Sequence, residues 1–131
     1  VIATRCEVCV QGRYTNASGS SYCQACESGR FAASSGSTDC EACGVGKYSS
    51  EGSSTSASDC TICPSGTHAS RKGTSECDQC PAGKYLSDEG ETAYKHDQAT
   101  DCIACEPGKV ARENASGSCE KCARGFFQNA S

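Results

Sequence analysis

Large apolar residues come almost singly along this chain, separated by long polar stretches. The most regular of them is a ring: Tyr14, Phe31, Tyr48, His68, Tyr85 and Phe127, with Val110 in the equivalent place of one further segment. The stretches between are rich in Ser, Thr, Gly, Asp and Asn. An amphipathic helix needs apolar residues near every third and fourth position, and a half-buried strand needs alternation over roughly four to eight residues. The first pattern is missing, and the second survives only in scraps such as Gly46 to Ser50. The pattern therefore predicts short two-stranded β-ribbons and turns, with little or no helix.

The cysteines set the period. They form seven C-x-x-C pairs: Cys6/Cys9, Cys23/Cys26, Cys40/Cys43, Cys60/Cys63, Cys77/Cys80, Cys102/Cys105 and Cys119/Cys122. Successive first cysteines lie 17, 17, 20, 17, 25 and 17 residues apart. Such self-similarity marks a repeat array whose units pack mainly on their neighbours. The units are 6–22, 23–39, 40–59, 60–76, 77–101, 102–118 and 119–131. A glycine follows every second cysteine by three residues, and the ring comes two residues later. A second glycine (Gly19, Gly36, Gly73) precedes the next cysteine by four. Fixed glycines suggest backbone turns with positive φ, and the ring is expected to cover the adjacent disulfide as a miniature core.

Composition explains why cysteine must carry the fold. Leu, Ile, Val and Phe number 12 of 131 residues, and Met and Trp are absent. Burial contributes about 25 cal/mol per Å² of apolar surface, too little here to offset roughly 1–2 kcal/mol of backbone entropy per residue. Fourteen cysteines, more than a tenth of the chain, fall in the range of disulfide scaffolds. The expected fold is a small disulfide-rich repeat array forming an elongated rod.

Three chemistries use C-x-x-C pairs. Zinc accepts this spacing, but four thiolates per ion would leave one of seven pairs over, and only His68 and His96 could substitute. Thioredoxin-like exchange needs a βαβ setting and one poised thiol. A structural disulfide ladder fits a pair repeated seven times without helices, and it is the reading adopted. No catalytic residue is expected, because no pocket-forming apolar set accompanies the carboxylates, and no metal or cofactor is expected either. The chain is read as a non-enzyme. A net charge of −4 and a pI near 5.1 argue against a nucleic-acid partner.

Asp39 to Ser49 (DCEACGVGKYS) and Cys77 to Tyr85 (CDQCPAGKY) resemble the ephrin-receptor-like and tumour-necrosis-factor-receptor-like cysteine-rich repeats, and the likeness runs along nearly the whole chain. The resemblance implies an extracellular or cell-surface setting. It also implies bonds from the second cysteine of one pair to the first of the next: Cys9–Cys23, Cys26–Cys40, Cys43–Cys60, Cys63–Cys77, Cys80–Cys102 and Cys105–Cys119. That scheme leaves Cys6 and Cys122 to pair outside the ladder, either with each other or beyond this stretch of chain.

The remaining features refine this picture. A basic residue follows the fixed glycine at Arg13, Arg30, Lys47, Lys84 and Lys109, and an acid precedes the first cysteine at Asp39, Asp59, Glu76 and Asp101. These read as solvated stripes, or as pairs between neighbouring units contributing about 0–1 kcal/mol each. The longest loop, in the fifth unit, carries Asp88, Glu89, Glu91, Tyr94 and His96, and is the best candidate for a contact loop. No signal peptide or membrane-spanning run occurs in these residues, although secretion needs an entry signal. A processed or partial portion of a longer chain is therefore expected.

Two functions follow as expectations: a structural module of an extracellular filament, coat or matrix that associates head to tail, or a ligand-binding receptor ectodomain. Scarce exposed aromatic and Arg clusters favour the first. Three sequons, at Asn16, Asn114 and Asn129, lie in the same part of their units and are expected on loop tips. Glycans at these three asparagines should appear as a drop in the intact mass of native material on glycosidase treatment; an unchanged mass would reject them.

Overall fold

The computed structural model describes residues 5–128. Six two-residue antiparallel ribbons follow one another: β1 (Arg13–Tyr14) with β2 (Gln24–Ala25), β3 (Arg30–Phe31) with β4 (Glu41–Ala42), and β5 (Lys47–Tyr48) with β6 (Thr61–Ile62). β7 (Thr67–His68) then pairs with β8 (Asp78–Gln79), β9 (Lys84–Tyr85) with β10 (Ile103–Ala104), and β11 (Lys109–Val110) with β12 (Glu120–Lys121). No α-helix occurs among the described residues, only three single 3₁₀ turns at Ala57–Asp59, Ala93–Lys95 and Ala99–Asp101.

Each ribbon joins the dipeptide after the fixed glycine to the middle two residues of the next C-x-x-C. Residues three apart on a strand point to opposite faces. The two cysteines flanking each second strand therefore reach in opposite directions, one back and one forward. Disulfides join Cys9–Cys23, Cys26–Cys40, Cys43–Cys60, Cys63–Cys77, Cys80–Cys102 and Cys105–Cys119, with Cα separations of 5.7–6.0 Å. Cys6 is exposed and Cys122 half-buried, and both are free thiols.

The buried residues are mostly these cystines. Tyr14 packs on Cys26 and Cys40, and Phe31 clusters with Cys43 and Cys60. The ring thus covers the disulfide of the following loop. The position after the ring is buried too, at Ala32, Ser49, Ala69, Leu86 and Ala111. Total exposed area is 8888 Å², against roughly 6,500 Å² for a compact chain of this mass. The excess is what an extended array requires.

A repeating set of backbone hydrogen bonds ties unit to unit. The fixed glycine donates to the carbonyl after the next ring: Gly12 to Ala32, Gly46 to Ala69, Gly66 to Leu86 and Gly83 to Ala111, at 2.7–2.9 Å. The residue after the ring donates onward, Thr15 to Ser37, Ala32 to Ser54, Ser49 to Thr74 and Leu86 to Ser116. A return bond runs from Gly36 to Cys9, Ser53 to Cys26, Gly73 to Cys43 and Ala115 to Cys80. Ser53 and Ala115 both hold φ +60 where the other units place glycine.

Contacts also reach past the neighbour. A Cβ added at Gly46 would collide with the Ala93 carbonyl, two units on, whereas one at Gly83 would meet open space. Packing therefore couples each of the first four units to the next two, which a nearest-neighbour reading of the period does not anticipate.

The charged stripes also have other partners than expected. Arg13 and Arg30 donate to the carbonyls of Cys23 and Cys40, at 3.3 and 3.1 Å. Asp39 accepts from the Cys40 N–H, while Asp59 and Asp101 cap 3₁₀ turns. Arg13, Arg30, Asp39, Asp59 and Asp101 therefore serve the backbone, Lys109 pairs with Glu106 at 3.7 Å, and among the described residues no ion pair joins the two stripes.

These contacts set an order among substitutions. Gly46→Ala should destabilise by roughly 2 kcal/mol or more, through φ strain plus the carbonyl clash, and Gly83→Ala by about 1 kcal/mol, through φ strain alone. Ala115→Gly should stabilise by about 0.5–1 kcal/mol, since relief of left-handed strain exceeds the added unfolded-state entropy. Denaturant titration with the disulfides intact measures all three, and equal losses at Gly46 and Gly83 would remove the next-but-one contact.

Candidate functional site

The fifth unit departs from the repeat by an insertion between Tyr85 and Cys102, and the chain there folds over two 3₁₀ turns into a shaped loop. Asp88 organises it. Its Oδ2 accepts the N–H groups of Glu91 and Thr92 at 3.0 and 3.1 Å, and lies 2.9 Å from His96 Nε2. Lys95 Nζ stands 3.7 Å from its other oxygen. Burial alone would raise the Asp88 pKa. The bonds from Thr92, His96 and Glu91, with the imidazole charge, outweigh it and lower the value from 3.8 to about 2.

His96 is fully buried. Its Nδ1 lies 2.7 Å from the Thr67 carbonyl, in β7 of the fourth unit. Its own carbonyl accepts the Ala69 N–H at 2.7 Å. In other junctions that acceptor is the residue following the left-handed turn. His96 therefore takes a backbone role in the unit-to-unit net and adds a side-chain bond.

Above this anchor lies a cavity of about 610 Å³, lined by Asp88, Glu89, Glu91, Tyr94, Asp101 and Ile103 among others. Tyr94 and Ile103 are largely exposed, 71 % and 54 %. The structure thus brings Asp88, Glu89, Glu91 and Tyr94 to one groove, acidic overall with an aromatic and an aliphatic wall. His96 is a correction: a contact residue in the sequence reading, it is buried beneath the groove and shapes it from below. The sequence carried no signal for this, because imidazole burial depends on the fourth unit's carbonyls.

Elsewhere, His68 Nδ1 approaches Cys102 Sγ at 3.7 Å, and Cys80 completes a group whose ligand atoms lie within 4.8 Å of one another. Both sulfurs belong to the Cys80–Cys102 disulfide and offer no thiolate, so the group is a ring packed on a cystine. Asn16 and Asn114 are exposed, the latter accepting the Ala82 N–H through Oδ1; Asn129 lies outside the described residues.

Comparison with protein families decides the kinship. A family model described as tyrosine-protein kinase ephrin type A/B receptor-like matches residues 12–60 and again 46–96, which together span well over half of the chain. The chain belongs to the ephrin-receptor-like cysteine-rich family. Comparison with curated proteins finds no match. The two matches overlap at residues 46–60, and ephrin-receptor-like disulfide-rich repeats of this kind are typical of extracellular domains.

The low Asp88 pKa fixes the sign of an acid effect. A carboxyl depressed in the folded state contributes stability above its ordinary pKa and loses it as pH falls from 3.8 towards about 2. The Glu91 and Thr92 amides should lose hydrogen-exchange protection across that window while the ribbon amides keep theirs. Asp88→Asn should flatten the acid response, and an unchanged profile in that variant would show that another group anchors the loop.

Proposed function

We propose that this chain is a non-catalytic structural module of an extracellular filament, surface coat or matrix, glycosylated on its loop tips and extended by head-to-tail association. The observation that carries this reading is the repeating backbone hydrogen-bond net between units. A net made from main-chain groups in constant register can be continued by any further unit of the same kind, without a specialised side-chain interface. Open head-to-tail contacts of that sort generate filaments unless they close into rings. Exposed apolar side chains in the first and last described units, Val8 and Val10 in one and Phe126 and Phe127 in the other, supply surface for contact with further units. The free thiols of Cys6 and Cys122 offer covalent locking in an oxidising compartment.

A ligand-binding ectodomain is the second reading, favoured by one observation: the acidic groove with the exposed Tyr94 and Ile103. Non-reducing electrophoresis and electron microscopy of native material separate the two. Reductant-sensitive oligomers and long filaments are expected, with Cys6 and Cys122 in inter-chain or inter-repeat bonds. A clean monomer, imaged as isolated short rods with a mapped Cys6–Cys122 bond, would reject the filament and leave the receptor reading.

A further inference from the structure

The protons on His96 follow from its partners. Nδ1 faces the Thr67 carbonyl at 2.7 Å and Nε2 faces the Asp88 carboxylate at 2.9 Å. Both partners only accept hydrogen bonds, so both ring nitrogens must donate. A neutral imidazole carries one N–H, and either tautomer would leave a lone pair against an oxygen inside a fully buried site. We propose that His96 is held as an imidazolium that fastens the fifth-unit loop to the fourth unit, making the acidic groove a pH-gated surface that loosens when the ring loses its second proton.

The charged surroundings are consistent with this. From the loop, Asp88 supplies the counter-charge, and Glu89 and Glu91 line the same groove. From the Ala93–Lys95 turn, Lys95 is the opposing cation, but it reaches the other Asp88 oxygen, at 3.7 Å. Asp97, next along the chain, buries Oδ1 with no hydrogen-bond partner. From the Ala99–Asp101 turn, Asp101 is engaged in capping. From β7, His68 turns to Cys102 Sγ. Of these charged groups, Asp88 is the one in hydrogen-bond contact with the ring, and it is negative.

The fastening is complete while the ring holds both protons and is lost as pH rises and one leaves. Unfastening frees the Asp88 carboxylate and the Thr67 carbonyl together. The disulfides stay closed, so the opening is local to the loop.

The imidazole ¹⁵N chemical shifts of the whole chain test the proton count directly. At about pH 6, near the range where histidine charge changes, both His96 nitrogens should resonate as N–H donors. One protonated and one lone-pair nitrogen would overturn the proposal. Hydrogen exchange then reads the consequence. After correction for intrinsic base catalysis, protection of the Glu91, Thr92 and Ala69 amides should fall about tenfold or more between roughly pH 6 and pH 9, as expected when buried acceptors lose their donor. His96→Gln should show low protection at both values, while the Cys63 and Cys80 amides, which bond to the Gly46 and Gly66 carbonyls at the ribbon ends, hold steady in both proteins. Equal protection of the loop amides across pH in the unsubstituted chain would also overturn it.

Discussion

The loops between bonded cysteines hold so few apolar side chains that each must be ordered by the covalent bond at its base. A disulfide across a separation of 14 residues removes unfolded-state freedom on the order of 3 kcal/mol. It also leaves a compact, apolar sulfur pair on which a single ring can rest. Tyr14 on Cys26–Cys40 and Phe31 on Cys43–Cys60 are complete cores in miniature. Because Tyr14, Phe31 and His68 rest on the disulfide of the following loop, their units do not finish their own cores. Covalent closure is local, whereas burial is shared along the array.

Shared burial explains the backbone net. With almost no apolar side chains between units, main-chain groups come within reach of one another, and they must find partners once water is excluded. A small residue after most of the ring positions lets the next unit approach: Ala32, Ser49, Ala69 and Ala111 are buried there, with Leu86 the large exception. The left-handed turn that follows aims a carbonyl at the fixed glycine two units back. The third unit's insertion enters between this turn and the next cysteine, at Ala57–Asp59, and lengthens the loop without changing the register of the net.

Much of this was legible. The seven pairs, the glycine and the ring announced the repeat, the ribbons and the dependence on cystine, because each recurs at a fixed offset. The pairing came from resemblance to known repeats, and its geometric reason, cysteines on opposite faces of a two-residue strand, needed the fold. The left-handed turns at Ser53 and Ala115 were hidden because neither residue is glycine. The reach to a second neighbour was hidden as well, since a period reports spacing and not superhelical rise. In the fifth unit the sequence marked the loop and four of its groove residues. It misjudged His96, whose burial depends on carbonyls supplied by the preceding unit.

The Asp88–His96 pair sits awkwardly in a protein with so little interior. Burying an ion pair costs desolvation that mutual attraction only partly offsets, so stability alone gives weak reason to retain one. Its value here is positional. The eight extra residues of the fifth unit displace the turn that elsewhere supplies the onward acceptor, and Ala69 takes the His96 carbonyl in its place. That carbonyl is useful only if the loop is held against β7. A flat imidazolium donates from two separated edges, one to β7 and one to the loop's own carboxylate. A neutral amide donates from one end only, and an ammonium group on a flexible stem would fix neither direction. The long loop is therefore kept in the register of the array by one cation, and the groove above it inherits its shape from that constraint.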